Sequence, residues 1–140
     1  MSENPRPESV LPHRDPFLFL TEVVAFEPGA WAEAYWQLSI EQDFFAGHFP
    51  GRPTLPGVLM CEAIAQLGAY VVLQDERFAG KIPLFGGIDK ARFRRQVVPG
   101  ERLDLRIDVG RMSARAGKAS GTASVGGETA CSADVMFVIG

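Results

Sequence analysis

Gly57-Val58-Leu59-Met60-Cys61-Glu62-Ala63-Ile64-Ala65-Gln66-Leu67-Gly68-Ala69-Tyr70-Val71-Val72-Leu73-Gln74 decides the architecture of this chain. Before Gln74 its only polar side chains are Glu62, Gln66 and the phenol of Tyr70. Pro56 and Gly57 mark its start, and a helix that is apolar nearly all round is a buried helix. The rest of the chain must therefore wrap it. The helix falls short of the ~20 apolar residues that span a bilayer, and it carries an acid.

Upstream, residues 1–10 read as a frayed tail, and Leu11–Leu20 as a short helical turn between Pro12 and Pro16. Thr21–Phe26 and Trp31–Ile40 form a hairpin around the turn Glu27-Pro28-Gly29-Ala30. Residues 42–56 are irregular, punctuated by Gly47, Pro50, Gly51, Pro53 and Pro56. Downstream, extended segments are expected at Leu84–Ile88, Ala91–Val97, Arg102–Gly110, Lys118–Val125 and Glu128–Ile139. Leu103, Leu105, Ile107 and Val109 alternate with Asp104, Arg106 and Asp108, the period of a sheet with one buried face. The expected class is α+β: an antiparallel sheet wrapped around one long central helix, the hot-dog arrangement, in a single domain over 11–140.

The bulk composition excludes several classes. With 46% hydrophobic and 22% charged residues and a formal charge of -3, the chain has ordinary globular composition and no general affinity for nucleic acid or a membrane. Residues 90–111 run against that average, with seven basic side chains facing three acidic ones. Arg92, Arg94 and Arg95 are the candidate docking residues of that stretch for an acidic partner; its other reading is a solvated strand face. Cys61 and Cys131 have neither metal-ligand spacing nor a disulfide framework and read as small buried residues. The first residues lack the charged-then-apolar pattern of a signal peptide, so a cytoplasmic setting is expected.

The chemistry concentrates in two places. His48 stands in the rigid loop Gly47-His48-Phe49-Pro50-Gly51, and Glu62 follows fourteen residues later inside the apolar helix. Stiff loops are frequent carriers of functional groups, and an acid in an apolar wall is costly unless it serves a purpose. An imidazole, titrating near ~6.5 when unperturbed, accepts protons around neutrality. Desolvation favours the protonated form of a carboxyl, the form an acid needs. The pair reads as base and acid, each of a kind that contributes about 10²–10⁴-fold. The helix start at Gly57 adds unpaired backbone N–H groups and the positive end of a dipole. Gln66, one turn beyond Glu62, is read either as orienting that carboxylate or as a polar group satisfied by backbone. Phe44, Phe45, Phe49 and Phe85 are read either as an acyl-tunnel lining or as core. His13 reads as a structural hydrogen-bonding residue rather than a second catalyst.

The ordered motifs resemble the beta-hydroxyacyl-(acyl-carrier-protein) dehydratase family, FabZ type. The residues that carry the resemblance are Leu11-Pro12-His13-Arg14, Pro16-Phe17-Leu18, Gly47-His48-Phe49-Pro50-Gly51 and Pro56-Gly57-Val58-Leu59. They continue with Glu62-Ala63, Ala65-Gln66, Gly87-Ile88-Asp89, Ala91-Arg92-Phe93 and Val97-Val98-Pro99-Gly100. The resemblance implies dehydration of a 3-hydroxyacyl chain on acyl carrier protein to the trans-2-enoyl product in fatty-acid synthesis, with neither metal nor organic cofactor. It implies a homodimer with active sites at the subunit interface, often assembled as a trimer of dimers. It makes His48 and Glu62 the catalytic pair, meeting from opposite chains, and gives the Gly57 amide the thioester oxygen. Val58, Phe49, Phe85 and Gln66 are the further substrate-facing candidates. Three positions depart from the pattern: Leu84 stands where many members carry a tunnel-gating tyrosine, Gln96 replaces a common proline, and Asp15 lies where an aromatic or other residue is frequent.

Two other functions remain open on the sequence. An acyl-thioester hydrolase on the same fold would direct water at the carbonyl, and a non-catalytic subunit would bind acyl carrier protein without turnover. A dehydratase/isomerase branch tends to carry aspartate at the position of Glu62, so the glutamate favours dehydration alone.

Overall fold

In the computed structural model, which describes residues 4–140, two short helices, one long helix and six strands follow one another. They are α1 (Pro7–Val10), β1 (Glu22–Glu27), β2 (Trp31–Gln37), α2 (Phe44–Gly47), α3 (Gly57–Leu73), β3 (Pro83–Phe93), β4 (Arg102–Met112), β5 (Ala116–Val125) and β6 (Glu128–Ile139). A 3-10 turn at Glu76–Phe78 links α3 to β3. The strands form one antiparallel sheet in the order β1-β2-β4-β5-β6-β3.

α3 lies against β2, β3, β4, β5 and β6, the hot-dog arrangement expected from its apolar circumference. Ile64, Leu67, Val71 and Val72 are fully buried, and each side chain so removed from water is worth roughly 1.5–3 kcal/mol. On the sheet, Leu103, Leu105 and Ile107 point to the helix as their alternation predicts. β5 answers with small residues, Ala119, Gly121 and Ala123. A Cβ on Gly121 would lie 2.4 Å from the Ile64 side chain and 3.0 Å from the Arg106 carbonyl oxygen. The helix therefore rests almost on the β5 backbone.

Several boundaries differ from the sequence reading. The segments expected at Leu84–Ile88 and Ala91–Val97 are one strand, β3, broken by register shifts between Phe85 and Gly87 and between Asp89 and Arg92. A bulge adds a residue without ending the strand, which turn chemistry alone does not distinguish from a loop. β2 stops at Gln37 because Leu38 leaves the ladder to exchange backbone bonds with Gly100 and Glu101. Leu11–Leu20 holds no helix; one turn is closed by the Phe17 N–H on the Arg14 carbonyl at 2.8 Å. Prolines 12 and 16 deny that stretch the donors a helix needs.

The frayed tail expected over 1–10 is corrected for residues 4–10; residues 1–3 lie outside the described part. Asn4 donates its amide to the Val23 and Val24 carbonyls at 3.0 and 2.8 Å. The Tyr70 hydroxyl donates to the Pro5 carbonyl at 2.7 Å, and Pro7 is buried at the start of α1. Burial pushes the Tyr70 phenol up to about 12. Cys61 and Cys131 are free and buried as expected, their sulfurs 3.9 Å apart between α3 and β6. Among the described residues no helix is long and apolar enough to cross a membrane.

Candidate active site

His48 follows α2 and caps its end, with its ring stacked on Phe49 at 4.0 Å between centroids. Its Nδ1 lies 2.8 Å from the Thr54 carbonyl oxygen. A carbonyl only accepts, so Nδ1 carries the hydrogen and a neutral ring presents Nε2 as an open lone pair. The same two residues are joined a second time by the Thr54 N–H on the His48 carbonyl, also at 2.8 Å. The Thr54 hydroxyl accepts from the Gln96 amide at 2.6 Å. Prolines 50, 53 and 56 stiffen this loop. Thr54 escaped the sequence reading because its part is played by a main-chain oxygen, which every residue type possesses.

Glu62 stands on the second turn of α3, half-buried, and is held from its own helix. Gln66 Nε2 donates to Glu62 Oε2 at 2.9 Å and to the Phe17 carbonyl at 3.1 Å, while Gln66 Oε1 accepts the Phe19 N–H at 2.8 Å. The amide orientation follows from that set, since the reverse would face oxygen to oxygen. At 1% exposure, Gln66 braces the carboxylate and does not line a substrate surface, which corrects its place among the substrate-facing candidates. The other neighbour of Glu62 is His13, whose Nε2 is 3.8 Å from Oε2. No hydrogen bond or ion pair joins Glu62 to His48 within one protomer among the described residues.

At the tip of α3, Pro56 offers no side-chain cap. The Leu59 N–H bonds the Pro56 carbonyl at 3.0 Å, and the amides of Gly57 and Val58 precede it as the first two of the helix, the orphan donors of any helix start. A cavity of about 370 Å³ opens beside this tip, lined by Thr54, Gly57, Met60, Phe93, Arg94 and Gln96 among others. A Cβ on Gly57 would come within 2.8 Å of the Phe93 ring. The missing side chain thus admits Phe93 as well as leaving the amide clear. Val58 is 69% exposed and Phe49 53% exposed; Phe85 is exposed on β3. Phe44 and Phe45 instead join Phe19 and Trp36 in an aromatic cluster, the core reading of the two.

The arginine trio divides. Arg95 is clamped by Glu101 through two bonds of 3.0 and 2.8 Å and reaches Glu128 at 3.0 Å. Arg95 is thus paired within the chain, and it also borders the helix-tip cavity. The same contact holds the Glu101 carboxyl below the usual carboxylate range. Arg92 and Arg94 are exposed and line, with Lys90 and Arg106, a groove of about 560 Å³ on the sheet. Arg94 borders both this groove and the cavity at the helix tip.

Residues 11–134 match the model of the FabA-like domain family. The 3-hydroxyacyl-[acyl-carrier-protein] dehydratase FabZ of Oenococcus oeni is 47% identical over 132 residues, covering 94% of this chain and 95% of its own. That of Clostridium novyi is 47% identical over 133 residues, with 95% and 94% covered. Among solved structures, the dehydratase heterocomplex ApeI:P from Xenorhabdus doucetiae aligns with a TM-score of 0.83 at 16% identity, covering 97% of this chain and 91% of that one. Zebra fish thioesterase superfamily member 2 aligns with a TM-score of 0.70, also at 16% identity, covering 92% and 88%. At that identity the two structures speak for the shared fold alone.

Proposed function

The chain belongs to the FabA-like domain family, and on that premise we propose that it removes water from 3-hydroxyacyl chains carried on acyl carrier protein, the activity for which its relatives are named. The observation that carries the reading is the bond from His48 Nδ1 to the Thr54 carbonyl, which leaves Nε2 as a base. Nε2 takes the proton from the carbon next to the thioester. The electron pair moves onto the thioester oxygen, where the Gly57 and Val58 amides at the positive end of α3 receive the charge. Glu62 gives its proton to the hydroxyl at the third carbon, the C–O bond breaks, and water and the trans-2-enoyl thioester leave. His48 then holds one extra proton and Glu62 lacks one, so a transfer from one to the other resets the site.

Because His48 and Glu62 do not meet within a protomer, we assign the working site to a homodimer, with a trimer of dimers as the larger assembly that the resemblance implies. β3 supports this assignment. It is a sheet edge bearing exposed Leu84, Phe85, Ile88 and Phe93, and an unpaired apolar edge invites a second chain. Arg94 beside the helix-tip cavity, with Arg92 in the adjoining sheet groove, suits the acidic surface of a carrier. The cytoplasm, where the neighbouring thiols of Cys61 and Cys131 stay reduced, is the assigned setting.

The test is enoyl formation by purified protein from carrier-bound 3-hydroxyacyl chains of graded length. His48→Ala and Glu62→Gln each lower turnover by about 10²–10⁴-fold while the oligomer stays intact. Release of free thiol with no rise in enoyl absorbance would replace the dehydratase by a hydrolase. Near-normal turnover in both variants would remove the pair from the chemistry.

A further inference from the structure

Proton transfer by His48 and Glu62 leaves one half-buried imidazole without employment. His13 sits between α1 and β1, with Nε2 3.8 Å from Glu62 Oε2 and the two side chains 26% and 20% exposed. Its Nδ1 is buried and has no hydrogen-bond partner among the described residues. A buried N–H without an acceptor costs more than a lone pair left idle, and a charged one costs most. The hydrogen therefore belongs on Nε2, where it faces the carboxylate.

The loop that delivers His13 is fixed at both ends. Leu11 is buried on one side, and on the other Phe17 and Phe19 bond through their backbone to Gln66. Gln66 is also the residue that donates to Glu62 Oε2. One glutamine thus sets the position of both the carboxylate and the loop carrying the imidazole. The neighbouring cation, Arg14, is turned back onto the Leu11 and His13 carbonyls at 2.8 and 2.6 Å.

We propose that His13 is a positioning residue for Glu62: with Gln66 it places two donors on Oε2, so that Oε1 is the oxygen that carries the proton to the substrate hydroxyl. A rotation of the ring or carboxyl that shortens 3.8 Å to hydrogen-bond length completes the contact, as catalytic bonds tighten when substrate arrives. A relay through the ring would need a proton partner at Nδ1, and none stands there among the described residues. The inference rests on Glu62 being the acid.

The experiment compares His13→Gln, His13→Asn and His13→Leu, alone and combined with Glu62→Gln, by kcat, KM and thermal midpoint. A glutamine amide reaches the place of Nε2, and an asparagine amide that of Nδ1. His13→Gln keeps most of the turnover. His13→Asn and His13→Leu each lose about 10–100-fold in kcat, the worth of one bond to a charged group, with KM little changed. On the residual turnover of Glu62→Gln, the same changes at position 13 cost nothing further. Equal losses in His13→Gln and His13→Asn, or losses that persist undiminished in the Glu62→Gln background, overturn the proposal while leaving Glu62 as acid. Full turnover in Glu62→Gln alone overturns the acid assignment itself, and the proposal with it.

Discussion

Replacing Gln66 by methionine, a side chain of similar volume without an amide, separates what this residue does for the fold from what it does for the site. In the native protein one amide satisfies the Phe19 N–H, the Phe17 carbonyl and Glu62 Oε2 at 2.8, 3.1 and 2.9 Å. Methionine leaves the Phe19 N–H, in a buried residue, with no acceptor, at about 1–3 kcal/mol. The Phe17 carbonyl, in an exposed residue, adds about 1 kcal/mol, giving roughly 2–4 kcal/mol in all. With an unfolding entropy of about 2.1 cal/mol/K per residue, a chain of this size loses about 7–14 °C in Tm. Calorimetry at fixed protein concentration reads that shift. Enoyl formation at 25 °C, where the variant is still folded, reads the second effect. Glu62 loses its firmest donor, so kcat falls about 10–100-fold, while KM holds because Gln66 is closed off from the substrate. An unchanged Tm would refute the fold argument, and a fall confined to KM would refute the argument that Gln66 acts through Glu62.

Arg94→Glu raises KM for carrier-bound substrate by about 5–50-fold but leaves an uncharged N-acetylcysteamine thioester nearly unaffected, because only the carrier brings anionic groups to that surface; Arg95→Glu instead lowers thermal stability, since it sets a carboxylate against Glu101 and Glu128. Equal effects of Arg94→Glu on both thioesters would dismiss the docking surface. Tyr70 governs the alkaline limit: its phenol, pushed up to about 12 in the folded chain, keeps a proton that the unfolded chain releases near ~10. Its contribution is whole below pH ~10 and drains away as the pH climbs from there towards 12. Thermal midpoints measured from pH 9 to 12 should fall more steeply for the native protein than for Tyr70→Phe, and parallel curves would contradict the assignment.

Legibility tracked the kind of interaction involved. α3 could be read because its apolar residues cover the whole circumference, and β4 because Leu103, Leu105 and Ile107 alternate without a break. His48 and Glu62 stood out as polar groups in places that do not favour them. What stayed hidden was mostly main-chain bonding: the oxygens of Pro5, Phe17 and Thr54 hold Tyr70, Gln66 and His48, and a carbonyl leaves no mark in the identity of its residue. The N-terminal segment looked like loose chain for that reason. Arg95 looked like a free cation because its partners, Glu101 and Glu128, become neighbours only when the sheet forms. His13 and Glu62 are brought together by a loop crossing the helix, a meeting that no periodicity encodes.

The restraint on His48 comes from the peptide unit at position 54 and not from the threonine side chain. Any side chain but proline at that position keeps the ring's acceptor and forfeits at most the Gln96 bond, whereas adding or removing a single residue between 48 and 54 would swing the peptide away and let the ring switch its hydrogen to the wrong nitrogen. A laboratory library at position 54 can thus vary the side chain, but not the length of the loop from 48 to 54.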